Sequence, residues 1–277
     1  MKILLSLLVL TGLASCAPTP PASSPATSAA APRIVLIAAE PEYRSAESLA
    51  GLAARLEREL HATTTLLRAE PVSDTPENVP GMEALDEADL VVVFMRFCRL
   101  PEAQVAPLDR YLRAGRPVLG IRTSTHAFAY DASSRLSSWN SFGPRVLGAP
   151  WIEHAGGDTS TWVTPVAGAP ASQADILKGV SSFECRSWLY SLSSAAPVLG
   201  DFPPRDATVL ATGITISGGV PAARGFPVAW TWHTPWGGRV FTTTLGHPED
   251  FDQAEFQQML VNAARWATAV SSGPASR

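Results

Sequence analysis

The chain has 277 residues, 46% of them hydrophobic and 17% charged, and a formal charge of −4. That balance excludes a disordered polyelectrolyte, and its acidic sign gives no footing for nucleic-acid binding. Three Cys are too few for a disulfide scaffold.

The first fifteen residues place Lys2 ahead of the apolar run 3–10 and end on the small residues of 11–15. This is the pattern of a secretory signal, too short to cross a bilayer. Leu13-Ala14-Ser15-Cys16 resembles a bacterial lipobox, in which Cys16 becomes the lipidated first residue of the mature chain. Ala17 follows rather than the Asp that retains lipoproteins at the inner membrane, so the expected address is the periplasmic face of the outer membrane. Residues 17–32 are only Ala, Pro, Ser and Thr. With Cys16 they read as an extended tether (16–32), and the lipid is the expected contact with a membrane.

A folded domain is expected over 33–270, with a short tail at 271–277. Arg33–Ala39 is a continuous apolar run, as in a strand buried on both faces. Ser45–Leu60 carries Leu49, Leu52, Ala53, Leu56 and Leu60 at helical spacing. Thr63–Arg68 reads as a strand, Met82–Glu87 as a short helix and Ala88–Met95 as a strand. Pro101–Ala114 reads as a helix and Arg116–Ile121 as a fourth strand. This alternation predicts a parallel sheet covered by helices on both faces. Further on, 135–160 reads as a long loop region. Thr159–Val166, Thr208–Thr212, Phe226–Trp232 and Arg239–Thr244 read as strands, Asp175–Gly179 as a turn, and Phe251–Thr268 as a closing helix.

In an open parallel sheet, ligands bind beyond the carboxyl ends of the strands. The residues predicted there are Glu40, Glu42, Tyr43 and Arg44, then Arg96, Phe97, Cys98 and Arg99, then Arg122 to His126, then His247, Glu249 and Asp250.

Several of these stretches resemble one family. Glu40-Pro-Glu-Tyr-Arg44, Arg96-Phe97, Gly120-Ile-Arg-Thr-Ser-Thr-His-Ala-Phe128, Trp139-Asn140 with Phe142-Gly143, Pro227-Val-Ala-Trp-Thr231 and Arg239-Val-Phe-Thr-Thr-Thr244 look like the ThuA-like (trehalose utilisation) family over about 33–270. The resemblance implies an α/β, flavodoxin-like, class I glutamine amidotransferase-like three-layer sandwich with a mostly parallel central sheet. It also implies a role with disaccharides and their 3-keto derivatives. True amidotransferases of that fold carry a nucleophilic Cys on the turn after a central strand, partnered by His-Pro-Glu. His247-Pro248-Glu249 is similar to that partner, but the turn here is Arg122-Thr123-Ser124 and has no thiol. The nucleophile of that chemistry is a thiolate, so this chain is not read as a glutamine amidotransferase. Cys98 and Cys185 read as buried thiols or as a disulfide, and Ser124 as an alternative hydroxyl nucleophile activated by His247.

The chemistry is assigned to His126, Glu42 and His247 as acid–base residues. Arg96, Arg122, Thr123, Trp139, Asn140, His154 and Thr231 are the candidate substrate contacts, Arg122 through its planar fork. Tyr43, Phe97, Trp139, Trp151 and Trp232 are available as sugar platforms. His126, His154, His233 and His247, with Glu42, offer donors for a divalent metal but form no short-spaced ligand pair, and no cofactor is called for. Three readings stand: an enzyme using acid–base chemistry on a sugar or 3-keto-sugar, a non-catalytic sugar-binding or scaffold lipoprotein, and a Ser hydrolase acting through Ser124.

Overall fold

The computed structural model describes residues 30–155, 157, 159–192, 202–204, 206–217, 220–221 and 225–269. The predicted signal 1–15, Cys16, nearly all of the tether and the tail 271–277 lie outside the described residues.

The first half alternates as the sequence predicts: β1 (Arg33–Ala39), α1 (Ser45–Leu60), β2 (Thr63–Arg68), β3 (Leu90–Met95), α2 (Glu102–Arg113) and β4 (Val118–Ile121). Then come β5 (Glu153–His154), β6 (Ser160–Pro165), α3 (Ala171–Ala174), β7 (Phe183–Cys185) and β8 (Tyr190–Ser191). The chain closes with β9 (Thr208–Ser217), β10 (Val220–Pro221), β11 (Phe226–His233), β12 (Arg239–Thr243) and α4 (Ala254–Thr268). The large sheet runs β2-β1-β3-β4-β12-β11-β9-β6-β7, with β10 added to β9. Its core β2-β1-β3-β4-β12 is parallel, and β11, β9, β6 and β7 extend it antiparallel.

The apolar runs of β1 and β3 follow from this architecture. Ile34, Leu36 and Ala38, with Leu90, Val92 and Phe94, pack on the side of α1 and α4. The alternate residues Val35, Ile37 and Ala39, with Val91, Val93 and Met95, pack on the side of α2. A period-2 strand with both faces covered has no polar side, so it reads as continuous hydrophobe. Leu49, Leu52 and Leu56 of α1 and Phe256, Met259, Leu260 and Ala263 of α4 share that first layer.

Three details differ from the sequence reading. The region 135–160 holds a 3₁₀ turn at Ser137–Ser141, a single π turn at Gly143–Leu147 and the two-stranded pair β5–β8. Gly143 lies so close to the Thr125 carbonyl that a Cβ there would sit 1.9 Å from its oxygen, so this loop is docked on the turn after β4. β9 continues to Ser217, because β6 and β11 pair along both its edges. The predicted helix 251–268 starts at Ala254, and Pro248–Asp252 forms a separate 3₁₀ turn capped by the His247 side chain.

Candidate active site at the carboxyl ends of the parallel strands

Strand order reverses between β1 and β3, which is where an open α/β sheet leaves a crevice. Glu40 follows β1 and Arg96 follows β3, so the two flank that point. Glu40 is only 3% exposed. Its Oε2 accepts from the Tyr43 N–H at 2.8 Å, while Oε1 lies 3.7 Å from Arg96 Nε with no hydrogen bond. Burial pushes the Glu40 carboxyl up to about 7, against the opposing pull of the Tyr43 amide and Arg96. Arg96 also donates to Glu42 and stacks its guanidinium over the Phe97 ring at 5.2 Å.

The turn after β4 places Arg122 at φ 45°, in the left-handed region. Phe97, after β3, sits at φ 50°. Such strain in non-glycine residues gathers at sites that need a side chain aimed in one direction. Arg122 is 1% exposed. Its guanidinium lies over the Tyr43 ring at 4.2 Å and the Tyr190 ring at 5.1 Å, and its Nη1 donates to the Thr244 carbonyl at 3.1 Å. Its Nε has no acceptor.

Across from it, the segment after β12 is held by Asp250. This buried carboxylate accepts from the N–H groups of Arg186, Ser187, Gly246 and His247 and from the Ser187 hydroxyl. His247 accepts at Nδ1 from the Glu249 N–H at 3.3 Å, which leaves the proton of the neutral ring on Nε2. Burial, with Arg122 nearby as a lesser repulsion, keeps His247 below its usual range despite Asp250, and it is therefore neutral near pH 7.

These elements enclose one cavity of about 390 Å³ lined by Glu42, Tyr43, Arg122, His154, Arg186, Trp188, His247 and Pro248. Glu42, Arg122, His154 and His247 were read from the sequence and meet here. His154 stands edge-on to Trp188 and Tyr190 at 5.3 Å each, with Nε2 buried and unpartnered. Burial and then Arg122 hold it below the ordinary histidine range. His126 is not on this wall. It packs against Phe97 at 5.1 Å and Trp151 at 5.0 Å, and burial pushes it down to about 3. Thr123 is buried beside Arg122.

The remaining sequence candidates sit elsewhere. Asn140 forms two hydrogen bonds at 2.8 Å with the Tyr130 backbone, and Trp139 packs on Phe128 and Phe142. Both pin the loop after β4. Thr231 pairs with Phe241 in mid-strand, two residues short of the carboxyl end of β12. Ser124 donates to the Val93 carbonyl and accepts from the Met95 N–H, so its hydroxyl joins strands and is not presented as a nucleophile. Cys98 and Cys185 are both free and buried, and burial pushes the Cys98 thiol up to about 12. Among the described residues no group of three or more His, Cys, Asp and Glu is arranged to hold a metal. Sequence reasoning missed Arg186, Trp188 and Tyr190, which come from the β7–β8 segment that carries no local motif. It named Glu40 and Asp250 only as polar residues at strand ends.

The match that decides the family spans most of the chain: the ThuA model, described as trehalose utilisation, covers residues 36–267. The chain belongs to the ThuA family. The ThuA-like protein of Parabacteroides merdae shares the fold at a TM-score of 0.62 and 17% identity, over 89% of this chain and 92% of that one. The ThuA-like protein of Bacteroides uniformis does so at 0.57 and 19% identity, over 88% and 95%. No curated protein sequence matches the chain. At these identities the ThuA relatives show the fold alone.

Proposed function

We propose that this ThuA-family chain acts in carbohydrate metabolism by acid–base chemistry on a sugar or 3-keto-sugar. The observation that carries the reading is the convergence of Glu42 and an Nε2-protonated, neutral His247 on one cavity walled by Tyr43 and Trp188. Aromatic faces suit the C–H faces of a sugar ring, and the polar groups fix its orientation.

A 3-keto group acidifies the neighbouring C–H. Glu42 takes that proton, the C–H bond breaks, and its electron pair becomes an enolate whose oxygen accepts from His247 Nε2–H. Where the deprotonated carbon bears a hydroxyl, the oxygen of the former carbonyl keeps the proton from His247, the hydroxyl gives its proton to solvent as its C–O becomes C=O, and the former carbonyl carbon takes the proton from Glu42, which is isomerisation. Where a β-substituent is present, it departs with its bonding pair and takes up that proton from Glu42, which is elimination. A neutral imidazole is the better partner here, because its donor strength does not compete with Glu42 for the proton. His126, behind the aromatic wall, is assigned to packing rather than proton transfer.

The same reading includes export. The lipobox-like Cys16 and the Ala/Pro/Ser/Thr tether support a lipoprotein displayed at the periplasmic face of the outer membrane. No helix among the described residues is long and apolar enough to cross a membrane. The test is turnover of 3-keto-disaccharides by the purified protein. His247→Gln is expected to slow it by about a hundredfold or more. Tight binding of an unmodified sugar with no turnover of any keto-sugar would favour a non-catalytic sugar-binding lipoprotein.

A further inference from the structure

Arg122 is a buried cation whose balancing charge, Asp250, acts on it without a direct contact. Among the described residues it forms no salt bridge, and its Nε has no acceptor. The hydrogen-bonding positions of the carboxylates around it are already occupied. Asp250 is occupied by five donors, Glu42 is bound by Arg96, and Glu249 faces Arg186 at 3.6 Å. What Arg122 does have is two tyrosine faces, a side-chain hydrogen bond with Tyr43, one carbonyl and the charge of Asp250.

The two tyrosines and the charge of Asp250 hold Arg122 as a cation against the desolvation of its burial. Its Nε, buried and without an acceptor on a residue that lines the cavity, is a charged donor left for what binds there. Arg186 lines the same cavity and adds a second guanidinium.

We infer that the cavity takes a sugar bearing a carboxylate, with Arg122 as its anion-binding residue and Arg186 as a rim contact. A planar guanidinium matches a planar carboxylate, and Tyr43 and Trp188 supply the ring faces for the rest of the sugar. This rests on the sugar-site reading above and narrows its substrate class.

The experiment is calorimetric titration of the full folded protein with glucose, glucuronate, glucose 6-phosphate and acetate. Glucuronate is expected to bind about tenfold to a hundredfold tighter than glucose. That preference should disappear in Arg122→Met and fall about tenfold in Arg122→Lys, which keeps the charge and loses the fork. Since Arg122→Met removes a buried side chain, each variant's fold is checked by circular dichroism. Thermal protection of the unmodified protein by glucuronate but not glucose gives an independent readout.

Equal affinity for glucose and glucuronate, or preference for glucose 6-phosphate, overturns the carboxylate assignment. Acetate binding as tightly as glucuronate overturns the sugar-acid assignment. Turnover of a neutral 3-keto-disaccharide without any preference for an acid sugar would overturn this inference alone and leave the acid–base reading standing. No binding of glucuronate would overturn this inference, while the acid–base reading fails only if 3-keto-disaccharides are also not turned over.

Discussion

Glu40 shows how a single residue at the strand edge can be read from its surroundings. Its carboxyl is buried, meets one amide and faces Arg96 without a hydrogen bond. With the group held at about 7 against an ordinary 4.5, the folded state keeps a proton that the unfolded chain releases between those values. Folding stability from this group is therefore present below pH 4.5 and is lost as pH rises through 7, by up to about 3 kcal/mol. Urea unfolding of the domain at pH 4.5 and pH 7.5 checks this. Glu40→Gln should abolish this component of the pH slope, and an unchanged slope in the variant would remove Glu40 as its source. The sequence placed Glu40 and Arg96 at strand ends but could not pair them, because their contact joins residues 56 positions apart.

At the scale of elements, the site depends on turns held in conformations that their side chains do not favour. Arg122 occupies φ 45°, and Gly246, at φ 140°, makes room for it. A Cβ on Gly246 would lie 2.7 Å from Ile121 Cγ2 and 3.1 Å from Arg122 Cβ. Gly246→Ala should therefore cost about 1–3 kcal/mol in stability and weaken ligand binding together, since relieving the clash shifts Ile121 and the adjoining Arg122. Thermal melting and a binding titration on the same preparation measure both. A variant with wild-type stability would show that the two turns are not coupled. The parallel elements were legible because buried strands and amphipathic helices leave strong periodic signals. β7 and β8 were not, because Phe183–Cys185 and Tyr190–Ser191 are too short for any period. Arg186 and Trp188 from the connection between them, and Tyr190 of β8, therefore entered the site unannounced. Asn140 and Trp139 carried a motif-like signal for a different reason: they fasten the loop after β4 to the Tyr130 backbone and the Phe128 ring.

At the scale of the whole molecule, the composition mixes parts with different roles. Residues from 31 onward form one unit, and the ThuA match lies wholly inside it. The preceding signal, Cys16 and tether are read as an address and a spacer. Cys16→Ser in the full chain should move the protein from the membrane fraction to the soluble fraction without changing the melting temperature of the domain. Retention in the membrane fraction would contradict lipid anchoring. The sequence made the fold class legible through its strand–helix alternation and family likeness. It did not make the cavity legible, since the cavity is assembled from segments near residues 42, 122, 154, 186 and 247, which only the folded sheet brings together.

The central claim is that Glu42 moves a proton from carbon on a substrate held in that cavity. It is tested most directly by incubating the protein with a 3-keto-disaccharide in D₂O and following deuterium incorporation beside the carbonyl by NMR. The wild type should exchange that hydrogen well above the uncatalysed rate, and Glu42→Gln should reduce the exchange by about a hundredfold or more. Exchange at the wild-type rate in Glu42→Gln would contradict the claim.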